Sequence, residues 1–240
     1  SFPIGPKPPL GLTSRLLVNN PRSCPSMKLT SLLAAALALA VSSSAALAAP
    51  SSAPADKWLN HYYQNPQPSA IPDVVFKLSR SGYFEQAGQP AQAIGFFSTI
   101  FAQNPSSVNS WFRDFQTLPE KHYRILASAL WYSGNPEGAR LLRDLSNNSS
   151  RQVRSGIDAM LAQGATQVAQ TPVLSESSMN LQWGAFLASG DEKYITNILA
   201  AVGSGQSGVP EAARISLAMN AATHSRVLEI CRAQLDKHPN

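Results

Sequence analysis

The segment from Gly203 to Gly208 has the spacing G-x-G-x-x-G, which in dinucleotide-binding proteins holds a pyrophosphate at a helix N-terminus. Such a site needs a strand before the glycines and further strand–helix units after them. Here a helical apolar pattern precedes the motif, Pro210 follows it, and little of the chain remains. We therefore predict a loop between two helices and no bound cofactor.

Histidine and serine are the other residues that could do chemistry. The chain contains four histidines, His61, His122, His224 and His238. None lies at ligand spacing from a cysteine or a second histidine, so no metal site is predicted. For His122 and His224 we expect cap or surface positions near helix starts. Since no G-x-S-x-G nucleophile elbow occurs, no catalytic residue is predicted, and an enzyme would need a site assembled from dispersed Ser, His and Asp side chains.

Trp58, Tyr62 and Tyr63 form an aromatic cluster near the predicted start of the folded region. Two interpretations are open. The cluster docks the N-terminal segment on the first helical hairpin, or it forms an exposed patch that binds a partner or a glycan. The three residues are the candidate partner-binding site.

Residues 27–48 have the organisation of a secretory signal peptide. Lys28 supplies the positive charge, residues 32–41 are apolar, and Ala46-Leu47-Ala48 is a small-x-small cleavage signal. We predict cleavage between Ala48 and Ala49 and a periplasmic or secreted protein. The apolar run is shorter than the roughly 20 residues that span a bilayer, so no integral span is expected in the mature form.

This leader sets the expected domain organisation and charge. Residues 1–26 are interpreted as an upstream extension or a mis-called start, 49–55 as a spacer, and 56–240 as the folded domain, with a possible subdomain boundary near 164–175. Four of the 19 lysines and arginines and none of the 14 acidic residues lie in residues 1–48, so the mature chain has 15 basic and 14 acidic residues and a net charge of +1. This balance does not indicate nucleic acid binding.

Apolar residues recur at the i, i+3, i+4, i+7 spacing of amphipathic helices in at least five places. Residues 71–78 and 108–115 predict two helices with one buried face each. Residues 94–101 and 123–132 are apolar on more than one face and predict inner helices. Near the end, Val227, Leu228, Cys231 and Leu235 predict a buried stripe with an unpaired thiol.

Two short segments predict tight turns between helices. In both Ser133-Gly134-Asn135 and Ser189-Gly190-Asp191 the glycine follows a helical pattern, where a left-handed residue ends many helices. The Asn or Asp that comes next is a preferred N-cap. We therefore expect a helical hairpin at each site.

The run from Phe84 through Gly88, Ala93 and Phe97 to Pro105 resembles the second half of a tetratricopeptide repeat. Residues 130–139 match its core less completely, and the turn glycines are spaced irregularly compared with the family period of about 34 residues. Residues 62–135 are also similar to secreted bacterial proteins. The resemblance implies a solenoid of helical hairpins that binds proteins or peptides.

These patterns together predict an all-α protein of about ten short helices, arranged as irregular antiparallel hairpins in a tetratricopeptide-like solenoid or a layered bundle. The expected function is a non-catalytic secreted or periplasmic binding or scaffolding protein that recognises a protein or peptide. The alternatives are a cell-envelope hydrolase with a dispersed site and a secreted factor that acts on another cell.

Overall fold

The computed structural model describes residues 53–164 and 166–237, which belong to one compact unit. Every regular element within those ranges is helical, which confirms the all-α prediction. The α-helices there are α1 (Ala53–His61), α2 (Ile71–Arg80), α3 (Gln89–Gln103), α4 (Pro105–Phe115), α5 (Glu120–Tyr132), α6 (Pro136–Asn147), α7 (Arg151–Gln163), α8 (Glu176–Ser189), α9 (Glu192–Val202), α10 (Val209–Thr223) and α11 (Ser225–Lys237).

Four 3-10 turns connect some of these helices, at Tyr62–Gln64, Pro68–Ala70, Tyr83–Glu85 and Val168–Gln170. The predicted signal peptide, its cleavage site at Ala48 and Ala49, and the upstream residues 1–26 lie outside the described residues. None of the helices between residues 53 and 237 is long and apolar enough to cross a membrane.

Helices α3 and α8 form the centre of the fold. All residues from 95 to 101 in α3 and from 181 to 188 in α8 are buried. The prediction of an inner helix at residues 94–101 is therefore confirmed, whereas the second inner helix, α8, was not predicted. Its neighbours cover it on all sides, because α3, α9 and the 3-10 turn at Tyr62–Gln64 all pack against it.

The two central helices touch through their backbones. A Cβ atom added to Gly95 would lie 1.9 Å from the carbonyl oxygen of Leu181, and one added to Gly184 would lie 1.9 Å from that of Gln92. No side chain fits at either position, so glycine is required for this crossing. The helices run parallel, since Gly88 at the start of α3 faces Asn180 in the first half of α8.

The outer helices bury the faces that their apolar spacing predicts. In α2 and α4 the buried residues are Ile71, Val74, Val75, Leu78, Val108, Trp111, Phe112 and Phe115. Both predictions of one-faced helices are confirmed.

The predicted buried stripe of the last helix is wrong in part. Val227 and Ile230 are buried in α11, but Leu228 is 36% and Leu235 is 68% exposed, and Cys231 is half-buried. The reason is the position of α11 at the end of the described hairpin series, where α9 and α10 are its main neighbours. One face of α11 is therefore buried, and the neighbouring Leu228 and Leu235 remain exposed to solvent.

Candidate functional site

A polar groove lies where the C-terminal ends of α3, α5 and α8 meet the start of α9. We call it the turn groove. It has a volume of about 190 Å³, and segments from five parts of the chain contribute to it. Most of its lining carries hydroxyl, amide or charged groups: Ser98, Thr99, Gln103, Tyr132, Ser133, Gln167, Ser189, Asp191, Lys193 and Tyr194, with Ala102 and Val168 between them.

The two predicted glycine turns build opposite parts of this groove. In the first, the Ser133 hydroxyl donates to the carbonyl of Leu130 at 2.6 Å and accepts from the backbone N–H of Asn135 at 3.2 Å. In the second, the Ser189 hydroxyl donates to the carbonyl of Ala185 at 2.9 Å and accepts from the N–H of Asp191 at 3.2 Å. Both serines therefore link a carbonyl of the preceding helix to the N–H two residues on, with the carbonyl three residues back at Ser133 and four residues back at Ser189.

The residues after the glycines cap the next helices, as predicted. The Asn135 side chain accepts from the N–H of Glu137 at 2.9 Å, and the Asp191 side chain accepts from that of Lys193 at 3.1 Å. These caps satisfy backbone donors that have no partner within a helix. They hold the groove walls in place before any ligand binds.

Both turn glycines are left-handed, with φ of 62° at Gly134 and 68° at Gly190. Each also lies against a side chain. A Cβ atom added to Gly134 would lie 3.0 Å from the Gln167 side chain, and a Cβ atom added to Gly190 would lie 2.8 Å from the Tyr63 ring. Any larger residue there is strained by its backbone and crowded by its neighbour.

The charged groups of the groove balance each other. The ammonium group of Lys193 lies 2.9 Å from the Asp191 carboxylate and 5.0 Å from the centre of the Tyr194 ring. Partial burial raises the pKa of Asp191, but the hydrogen bonds from Lys193 outweigh it and the net pKa is lowered. The hydrogen bond to Asp191 raises the pKa of Lys193. The pair stays ionised at neutral pH and gives the groove little net charge.

The predicted aromatic cluster packs on the central helices. The Trp58 ring centre lies 4.8 Å from that of Tyr62 and 6.1 Å from that of Phe96 in α3, and Tyr63 lies 5.3 Å from Phe186 in α8. Tyr62 is 2% exposed, whereas Trp58 and Tyr63 are half-buried. These contacts dock the N-terminal segment on the central helices α3 and α8 rather than on the first hairpin alone. Partner binding by Trp58, Tyr62 and Tyr63 stays a prediction.

A cluster of Ser79, Glu85 and His122 is the arrangement closest to a catalytic one. The Nδ1 atom of His122 lies 2.8 Å from the Ser79 hydroxyl, and its Nε2 lies 2.6 Å from Glu85 Oε1. His122 is only 3% exposed, so the expectation of a cap or surface position is wrong. Its ring is covered because α5 begins against α2 and the 3-10 turn at Tyr83–Glu85, which supply its partners.

The cluster is packed between α2, α5 and the 3-10 turn at Tyr83–Glu85, with Ser79 half-buried. Neither the turn groove nor a second, wider hollow is lined by its residues. Lys121 also pairs with Glu85 Oε1, at 2.5 Å. Since a general base must reach the group it deprotonates, the contacts support a role for His122 in joining α2 to α5.

The wider hollow has a volume of about 370 Å³ and lies between the α4–α5 and α6–α7 connections. Its walls are joined by the Ser150 hydroxyl, which donates to Glu120 Oε2 at 3.2 Å. Neither of the glycine turns lines it.

His224 occupies the cap position between α10 and the start of α11, as predicted, and it is only 5% exposed there. Its ring lies 5.7 Å from that of His61 and 6.5 Å from that of Phe186. Burial and the neighbouring His61 lower the pKa of His224. Within the described part of the chain, His, Cys, Asp and Glu form no group of three or more that could hold a metal ion.

The G-x-G-x-x-G segment is a loop between α9 and α10, as predicted, and the element directly before it is a helix. Sequence reasoning did not place Gln103 and Gln167 in the groove. They come from parts of the chain that only the fold brings together, and no local pattern marks them. The sequence signal that could have indicated the groove is the pair of Ser-Gly-Asn and Ser-Gly-Asp segments, since residues of both line it.

No protein-family model matches this chain, and no curated protein or solved structure is significantly similar to it.

Proposed function

We propose that this protein is a non-catalytic, exported binding module whose turn groove recognises an extended peptide segment of a partner protein. The observation that carries the proposal is the convergence of amide and hydroxyl side chains from α3, α5, α8, α9 and residues 167–168 on one preformed groove. The signal-like residues 27–48 support export.

The size of the groove favours part of a chain over a whole small molecule. Sites that enclose drug-sized ligands or cofactors measure about 300–1,000 Å³, and the turn groove, at about 190 Å³, is smaller. It holds one or two residues of a ligand that continues beyond it on both sides.

The chemistry of the groove favours a peptide backbone. Gln103 and Gln167 are exposed and offer both amide donors and amide acceptors. The Asp191–Lys193 pair leaves little net charge to select an ionised ligand. Such side chains complement the N–H and C=O groups that every extended peptide presents.

The test is selection of a random-peptide library on the purified protein, followed by affinity measurements with the enriched peptides. Gln103→Ala and Lys193→Ala, both in the groove, should each weaken binding about tenfold, which corresponds to about 1.4 kcal/mol. Gln116→Ala in the wider hollow and Lys57→Ala on α1 are matched exposed controls and should have no effect. Failure to enrich any peptide, or equal losses in the controls, would contradict the proposal.

The second candidate is a hydrolase, which the contact of Ser79 with His122 favours. A fluorophosphonate probe reacts with activated serines and tests it directly. We expect no labelling, because His122 is buried and its neighbour Glu85 is paired with Lys121. Labelling that disappears in Ser79→Ala would instead establish the hydrolase.

A further inference from the structure

A small pocket lies where the C-terminal ends of α5 and α7 meet the first half of α6. We call it the donor pocket. It has a volume of about 110 Å³ and shares no lining residue with the turn groove. Its lining comes from the three helices and the turns beside them: Leu130, Trp131, Asn135, Ala139, Leu142, Arg143, Leu161 and Gly164.

Two of these residues carry buried hydrogen-bond donors. The indole Nε1 of Trp131 and the amide Nδ2 of Asn135 are buried, and neither has a hydrogen-bond partner within residues 53–164 and 166–237. The Oδ1 of Asn135 accepts from the N–H of Glu137 at 2.9 Å, which fixes the other end of the amide as the donor. Buried donors without an acceptor are unfavourable, so two of them in one pocket indicate a site for an acceptor group.

Arg143 adds a positive charge to the same pocket. Its side chain is exposed and forms no ion pair or hydrogen bond with the described residues. The two acidic residues of α6, Glu137 and Asp144, both pair with Arg140, at 2.8 and 3.5 Å. The guanidinium of Arg143 is therefore available to a ligand.

The second glycine turn shows what is particular about Asn135. Asp191 takes the equivalent place there and accepts from the N–H of Lys193, as Asn135 accepts from that of Glu137. Either residue caps a helix, because the cap needs only the side-chain oxygen. What Asn135 adds is a donor, and Asn135 is the one of the two that lines the donor pocket.

The rest of the lining is mostly apolar and limits the size of a ligand. Leu130 and Leu142 are buried, and Ala139 and Leu161 are half-buried. An apolar cavity of about 150 Å³ holds benzene, so the donor pocket, at about 110 Å³, holds about five non-hydrogen atoms.

We propose that the donor pocket binds a carboxylate that carries a short apolar chain. The carboxylate accepts from Trp131 and Asn135 and pairs with Arg143, whose parallel N–H groups match its two oxygens. The chain packs on Leu130 and Leu142, which a phosphate or sulfate ion would leave without a contact. Two sources present this group at the right size, free propionate and the last residue of a peptide that ends in alanine. The proposal does not rest on peptide binding in the turn groove.

Titration of the ¹⁵N-labelled protein with sodium propionate tests the proposal. The indole N–H resonance of Trp131, identified by its loss in Trp131→Phe, should shift and saturate as its donor gains an acceptor. Propionamide has the same shape without the charge and should bind about tenfold more weakly, and sodium chloride at equal ionic strength should cause no shift. No saturable shift with propionate or with a peptide that ends in alanine, as in a pocket that holds only water, would overturn the proposal.

Substitutions of the donors test the individual contacts. Arg143→Gln and Asn135→Asp should each weaken propionate binding by about tenfold or more. Asn135→Asp keeps the helix cap, as Asp191 shows in the second turn, so its effect reports the lost donor and the added charge instead of unfolding. Arg232→Gln, an exposed change on α11 that removes the same charge, is the control. Unchanged binding in the first two variants, or an equal loss in Arg232→Gln, would overturn the proposal.

Two hexapeptides that end in alanine, one with a free C-terminal carboxylate and one with a C-terminal amide, distinguish the sources. Tighter binding of the free peptide than of propionate identifies a peptide C-terminus, and equal or weaker binding identifies a free acid. Arg143→Gln should weaken binding of the tighter ligand and Gln103→Ala should not, which separates the donor pocket from the turn groove. Equal binding of the carboxylate and amide forms of both probes would overturn the proposal, because the charge of Arg143 would then have no role.

Discussion

Helices α8 and α10 have nearly the same length, 14 and 15 residues, and both are apolar around most of their circumference. They differ in environment. In α8 every residue from 181 to 188 is buried, whereas α10 buries Val209, Ala213 and Leu217 and exposes a second apolar stripe of Ile215, Ala218, Met219 and Ala222. The comparison shows that all-round apolarity does not by itself place a helix in the core. It indicates two packing faces, and in α10 one of them is open.

The largest effect is expected where α8 meets α3. Gly184→Ala adds a Cβ that would lie 1.9 Å from the carbonyl oxygen of Gln92, a backbone atom that cannot turn away. The helices must separate, and the free energy of unfolding should fall by about 3 kcal/mol in urea denaturation. The matched control is Gly156→Ala in α7, where no atom lies within 4 Å of the new Cβ. It should be neutral or stabilising, by up to about 1 kcal/mol. Equal behaviour of the two variants would contradict the close backbone contact.

The second prediction compares the two faces of α10. Leu217 is 6% exposed and Met219 is 68% exposed, although they are two residues apart. Leu217→Ala should lower the free energy of unfolding by about 2–3 kcal/mol, since it leaves a cavity. Met219→Ala should change it by less than about 0.5 kcal/mol. Similar losses in both variants would show that the outer face is covered within the monomer.

The third prediction compares the end of α8 with the loop that leads to α10. Gly190 has φ of 68° and touches the Tyr63 ring, whereas Gly203 has φ of −93° and a Cβ there would lie 3.9 Å from the Ala200 carbonyl oxygen, an ordinary contact. Gly190→Val should cost about 1–2 kcal/mol of stability, because a β-branched residue is strained in the left-handed region. Gly203→Val should cost less than about 0.5 kcal/mol. A neutral Gly190→Val would argue against the left-handed turn.

The smallest effect concerns His224, which lies between α10 and α11. Its pKa in the folded protein is lowered, so the unfolded chain binds a proton more readily once the pH falls towards the ordinary histidine value of about 6.5. The free energy of unfolding should therefore decrease as the pH falls through that range. His224→Phe should flatten this dependence in urea denaturation at several pH values. His61→Gln should flatten it less, because burial contributes more than His61 to the shift. An unchanged slope in His224→Phe would assign the pH dependence to other groups.

Local patterns predicted the helices, the one-faced packing of α2 and α4, and both Ser-Gly-Asn and Ser-Gly-Asp turns. These depend on residues within a few positions of each other, which is the range that propensity and capping describe. The close contacts of Gly95 with Leu181 and of Gly184 with Gln92 were not predicted. A glycine inside a helix shows that something approaches closely, but its spacing does not identify the partner.

The candidate site was predictable in part for the same reason. The two turns were recognised from the sequence, but their meeting at one groove depends on the parallel packing of α3 and α8. The burial of His122 was not predicted either, because its partners Ser79 and Glu85 lie far from it in the chain. The predicted stripe of α11 is wrong at Leu228 and Leu235, because burial depends on which helices pack against it, and helical periodicity contains no such information.

Hydrogen–deuterium exchange of the protein with and without an enriched peptide tests the central claim most directly. If the turn groove is the binding site, the peptide should slow exchange at residues 132–135 and 189–194 together, the two turns that line it. Residues 148–153 of the wider hollow should exchange at the same rate in both samples. Protection at residues 148–153 or 215–222 with no change at either turn would contradict the account and place binding elsewhere.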